Sequence, residues 1–160
     1  MNNEDKIYAE KILKHLCLGA SIDGFRFGLS PATTKIYLTH YDKVDDDGGQ
    51  IYLNIESKWT LFEDKPTSFP TNEDDLEDIS EQEEYKQIYK IRREKIIDIS
   101  LADKSPHLII TLESGKILFV NGYHKQYECW QVGVQYLDTD WLVVACPENG
   151  IAYWVSEDFE

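Results

Sequence analysis

Positive charge is what this chain has least of. Sixteen Lys and Arg face thirty Asp and Glu, a formal net charge of -14 with a pI near 4.6. Such a field repels nucleic-acid phosphates and anionic headgroups, and it draws basic partners from a distance. Nucleic-acid and membrane-surface binding are therefore not expected. The one basic cluster, Lys90, Arg92, Arg93 and Lys95, falls late in a predicted helix, where it complements the dipole. Long hydrophobic runs are missing too: no stretch approaches the roughly 20 apolar residues of a transmembrane helix. The start, Met1-Asn2-Asn3-Glu4-Asp5-Lys6, lacks the basic and apolar regions of a signal peptide. Cysteine is scarce and unpaired in pattern. Cys17, Cys129 and Cys146 form no C-x-x-C, which suits reduced thiols in a cytoplasmic protein better than disulfides or zinc.

Catalytic motifs are equally thin. Neither a G-x-x-x-x-G-K-[ST] nor a G-x-G-x-x-G loop occurs, and there is no G-x-S-x-G elbow. His15, His40, His107 and His124 stand singly, without metal-ligand spacing. His124 and Cys129 are close enough in sequence to suggest a base and a thiol, but Cys129 beside Trp130 reads as a packed small hydrophobe. The acidic run from Asp42 fails the calcium-loop order at Val44, Asp47 and Leu53. No enzyme, no metal and no cofactor are expected.

What is present is an α+β pattern dominated by short antiparallel strands. Ile7, Tyr8, Ile12, Leu13, Leu16 and Cys17 repeat at helical spacing, with Gly19 as a stop. Strands are predicted over 22–27, 35–41, 50–57 and 59–62. Ile51, Leu53 and Ile55 alternate with polar neighbours, and Asp45-Asp46-Asp47-Gly48-Gly49 supplies a hairpin turn. A second helix is predicted through Tyr85, Ile88, Tyr89 and Ile91. Strands at 95–101, 107–112, 115–120 and 127–132 follow it. A last hairpin, 141–155, turns at Pro147-Glu148-Asn149-Gly150.

The order helix and four strands thus occurs twice, over 5–62 and 84–134, which predicts an internal duplication within a single domain. In that alignment Gly115 to Val120 parallels Gly49 to Asn54, and Trp130 stands where Trp59 stood. Between the halves, residues 63–84 hold ten acids against Lys65 alone, most of the net charge. Composition so poor in apolar residues is consistent with a mobile segment.

Leu112-Glu113-Ser114-Gly115-Lys116-Ile117-Leu118-Phe119, then Tyr127-Glu128-Cys129-Trp130, resembles a small uncharacterised bacterial domain family with an "L-x-x-x-N/S-G-x-x-L … Y-E-x-W" signature. Ile55-Glu56-Ser57-Lys58-Trp59 is similar to the family's "I-x-S-x-W" element. Members occur near polymorphic toxin genes, and some look like immunity proteins. The resemblance implies a protein that neutralises a cognate toxin, and it implies no catalytic residues; the acidic charge points to a basic, nuclease-type toxin, since such domains must hold phosphate.

Charge complementarity and aromatic anchors favour the same reading. The expected partner-binding residues are Asp45, Asp46 and Asp47 together with Glu73, Asp74, Asp75, Glu77, Asp78, Glu81, Glu83 and Glu84. Trp59 and Trp130 read as core residues, with aromatic anchors for the partner as the alternative. Two other classes stay open. One is a β-domain binding a small molecule among Trp59, Trp130, Trp141 and Trp154; the other is a module self-associating through the edge of the last hairpin.

Overall fold

A computed structural model describes residues 1–28, 33–43, 49–135 and 141–160. Helix α1, Asn3–Cys17, begins where the Asn2 side chain accepts the Asp5 N–H at 2.8 Å, and Gly19 at φ 80° ends it. Its face of Ala9, Ile12, Leu13, Leu16 and Cys17 is buried. Helix α2, Glu81–Lys90, is capped by Ser80, whose Oγ accepts the Glu83 N–H at 3.2 Å. No helix of the described residues is long and apolar enough to cross a membrane.

Ten strands lie between and after these helices: β1 Ser21–Phe27, β2 Thr34–Thr39, β3 Gln50–Ile55, β4 Trp59–Phe62, β5 Ile96–Leu101, β6 Leu108–Leu112, β7 Ile117–Val120, β8 Trp130–Gln135, β9 Leu142–Cys146 and β10 Gly150–Trp154. The fold is α+β and mostly antiparallel sheet, and it closes on the β9–β10 hairpin. A six-stranded sheet runs β1-β2-β3-β8-β9-β10, and a four-stranded sheet runs β4-β7-β6-β5. Residues of both sheets and both helices join one hydrophobic cluster. Residues 44–48, which carry most of the predicted Asp45–Gly49 turn and all three of its acids, lie outside the described residues.

The two sheets share a plan. Each has a three-strand meander whose first strand carries a bulge, between Ile22 and Gly24 in β1 and between Ile96 and Asp98 in β5. Each meander is then extended by the fourth strand of the other half. Strand β8 pairs with β3, and β4 pairs with β7. Trp130 therefore sits opposite Ile55, and Trp59 opposite Val120.

Where the halves cross, their hydrogen bonds are reciprocal. Glu56 N–H donates to the Cys129 carbonyl at 2.8 Å, and Asn121 N–H donates to the Lys58 carbonyl at 3.0 Å. Near the helix ends, Ile22 N–H donates to Glu94 O at 3.0 Å and Ile96 N–H to Ala20 O at 2.8 Å.

The matched registers correct the alignment of the third strands. Ile36 pairs with Leu53, and its equivalent Ile110 pairs with Leu118. Leu53 thus corresponds to Leu118, whereas the sequence alignment set it against Phe119. Aligning Gly49 with Gly115 caused the slip, because Gly115 at φ 90° forms a tight turn and the first hairpin is longer. A one-residue slip exchanges the faces of a strand.

Candidate partner-binding face

The acidic segment, whose order its composition leaves open, is packed against the fold. Two apolar residues pin it. Leu76 is buried, and the Phe69 ring stacks on Phe119 with centroids 5.7 Å apart. A polar latch holds its middle. His107 is buried between the Gly122 N–H, 2.9 Å from Nδ1, and the Thr71 carbonyl, 3.2 Å from Nε2. Nδ1 therefore accepts and Nε2 donates, which fixes a neutral tautomer. Burial pulls the His107 pKa below its ordinary value.

Several predicted partner acids are occupied by the fold itself. Asp75 accepts the N–H groups of Thr71 and Asn72 at 3.3 and 3.2 Å, closing the turn before the one-turn helix Glu73–Asp75. Glu73 accepts the Lys58 N–H at 3.3 Å, and Asp78 pairs with the Lys58 ammonium at 3.0 Å. Asp74, Glu77, Glu81, Glu83 and Glu84 form no ion pair among the described residues. Glu83 instead accepts the Gln87 amide at 3.1 Å, one turn along α2.

Both tryptophans are core residues, which corrects only the alternative of partner anchors. Trp59 and Trp130 are 3% and 0% exposed, so neither is presented to a partner. The Trp130 indole donates to the Pro106 carbonyl at 2.8 Å, while the Trp59 Nε1 finds no acceptor among the described residues. The other two tryptophans are elsewhere. Trp141 stacks on His15 at 5.1 Å, and Trp154 is exposed on the edge strand β10.

Two exposed rings that stack on one another beside acids are on α2. Periodicity grouped Tyr85 and Tyr89 with Ile88 and Ile91 as a single apolar face. In the fold the isoleucines are buried, whereas Tyr85 and Tyr89 are 48% and 61% exposed. Their rings stack on each other at 6.2 Å. Tyr85 also meets Phe25 edge-on at 5.1 Å, and Phe25 meets Phe27 at 5.3 Å. The four rings form a ladder from β1 onto the helix, beside Glu81 and Glu84. A spacing of four residues put the two tyrosines on one face, and the Ser80-x-x-Glu83 capping pattern would have located the helix start and so that face.

The thiols offer little nucleophilic chemistry. Burial pushes both Cys17 and Cys129 up to about 12, and the Glu73 charge adds to the shift at Cys129. Cys129 Sγ meets the Asn121 amide at 3.9 Å. The His124 Nδ1 accepts the N–H groups of Gln126 and Tyr127 at 3.0 and 3.2 Å. All three cysteines are free, and no group of three metal-ligating side chains occurs among the described residues. No family model, curated protein or solved structure matches this chain.

Proposed function

We propose that this protein binds and neutralises a basic toxin domain, as an immunity protein in bacterial competition, and that it does so in the cytoplasm. The observation that carries the proposal is the face of α2, where exposed, stacked Tyr85 and Tyr89 stand beside Glu81 and Glu84, which form no ion pair among the described residues. Rings supply desolvated contact area, and the net charge of -14 supplies steering toward a basic surface. Asp74 and Glu77, exposed on the pinned segment, add two acids that form no ion pair among the described residues. Three free cysteines suit a reducing compartment.

The test is co-purification with the product of the neighbouring gene at low and at high salt, paired with a survival assay. The expected outcome is a complex that forms more slowly at high salt, and cells protected from that toxin. Absence of binding at both salts, with cells equally sensitive with and without this protein, overturns the proposal.

Self-association is favoured by a separate observation: β10 is an edge strand that exposes Trp154. Sedimentation of the wild type against Trp154→Lys tests it, a dimer lost on substitution being its expected signature.

A further inference from the structure

Between the end of β1 and the first turns of α2 lies a groove of about 500 Å³, lined by Phe27, Glu81, Gln82, Tyr85 and Lys86. Its surface is mostly apolar, with two rings, Phe27 and Tyr85, and one carboxylate, Glu81, in the lining. Glu84, half-buried one turn from the groove, has its carboxyl raised above the usual range by burial, and the neighbouring Glu81 charge raises it further. A cation brought to this groove therefore meets two carboxylates that repel one another and that no Lys or Arg of the described fold neutralises. Lys86 stands in the same lining and gives the groove a polarity, with its positive side toward Lys86 and its negative side toward Glu81.

Resting on the reading of a basic partner, we propose that this groove is the socket for an arginine side chain of that partner, its guanidinium stacking on Tyr85 and pairing with Glu81. Arginine fits better than lysine because a planar, weakly hydrated guanidinium lies flat on a ring while its N–H fork reaches a carboxylate. A charged centre over an aromatic face, closed on one side by acids, is a way to make an otherwise solvent-screened ion pair count. Tyr85 meets Phe25 edge-on and lies parallel to Tyr89, so its position is set before any ligand arrives.

The experiment uses the full chain and two probes, N-acetylated and C-amidated tetra-arginine and tetra-lysine, followed by calorimetry and by amide chemical shifts. Tetra-arginine is expected to bind more tightly than tetra-lysine, with the largest shifts at Phe27, Glu81 and Tyr85. Tyr85→Leu and Glu81→Gln are each expected to weaken tetra-arginine by about fivefold, and Tyr85→Phe to restore most of the loss. Glu77→Gln removes the same charge away from the groove and is expected to change affinity less than about twofold. Equal losses for Glu81→Gln and Glu77→Gln, no effect of Tyr85→Leu, or shifts centred on Glu73–Asp78 each overturn the socket. Failure of the peptide with a toxin complex intact sinks the socket alone. Loss of the toxin complex with peptide binding intact sinks the partner reading alone.

Discussion

The two four-strand sets pair their strands alike, yet they cross over differently. The first half passes from β3 to β4 in three residues, Glu56–Lys58, and the second passes from β7 to β8 in nine, Asn121–Cys129. The short link makes its contacts at the surface or across to the long link, Lys58 with Glu73 and Asp78 and Ser57 Oγ with the Asn121 carbonyl. The long link is where buried polar groups are held: Asn121 bonds to the Tyr123 carbonyl at 2.9 Å, Gly122 to His107, and the Trp130 indole to Pro106. The same scaffold thus carries a plain crossing on one side and a polar latch on the other. The latch is also what grips the acidic segment through Thr71. Equivalent substitutions in the two halves are therefore expected to differ in cost.

The largest difference is expected at Gly122, whose counterpart in the short link is Ser57. A Cβ on Gly122 would fall 1.9 Å from the Pro106 carbonyl oxygen, a backbone atom that cannot step aside. Gly122→Ala is expected to cost roughly 3 kcal/mol, near the upper end of overpacking penalties. Ser57→Ala removes one bond, Ser57 Oγ to the Asn121 carbonyl, and is expected to cost about 1 kcal/mol. Urea denaturation of the two variants reads both values.

Next comes the tryptophan pair. Trp130→Phe leaves the Pro106 carbonyl without its indole donor, whereas Trp59→Phe removes a donor that has no acceptor among the described residues. Trp130→Phe is expected to be the more destabilising by about 1 kcal/mol, measured by thermal unfolding. Equal costs would mean that the halves are energetically alike after all.

A third contrast sits at the helix ends. Gly19 and Arg93 both adopt left-handed backbone, at φ 80° and φ 72°. Gly19→Ala places a Cβ where L-residues are strained, and about 1 kcal/mol of stability should be lost. Arg93→Gly relieves that strain and is expected to raise the midpoint slightly, a gain of at most about 1 kcal/mol set against the freer unfolded chain.

The smallest effect is expected from pH, read at one buried imidazole. His107 is held neutral, with a pKa below the 6.5 of the free side chain. As pH falls below 6.5 the unfolded chain takes up the proton first, so stability drops until the folded pKa is reached. Thr33, at the matching place before β2, cannot titrate. Urea midpoints at pH 7.5 and pH 5 should differ less in His107→Gln than in the wild type.

Much of the strand pattern was legible because alternation marks one buried face, as with Ile51, Leu53 and Ile55, all now buried. The matched places of Trp59 and Trp130 were also readable. Which sheet each fourth strand joins was not, since periodicity identifies a strand but not its neighbour. The docking of the acidic segment was hidden for a related reason. Its charge count hides Phe69 and Leu76, and two well-placed apolar side chains suffice to dock it. Tyr85 and Tyr89 were noticed but given to the wrong face, because an i, i+3, i+4 pattern does not say where the apolar arc ends.

The exchange of β4 and β8 bears on how the protein is made. During synthesis the β1–β3 meander leaves the ribosome with the far edge of β3 unpaired, and the strand that completes it, β8, emerges only after the whole second meander. Neither sheet can be finished by local contacts, so the slow step is the late meeting of distant segments. Until then the growing chain carries an open strand edge, and the acids translated between the two meanders supply like-charge repulsion that discourages premature pairing between neighbouring chains.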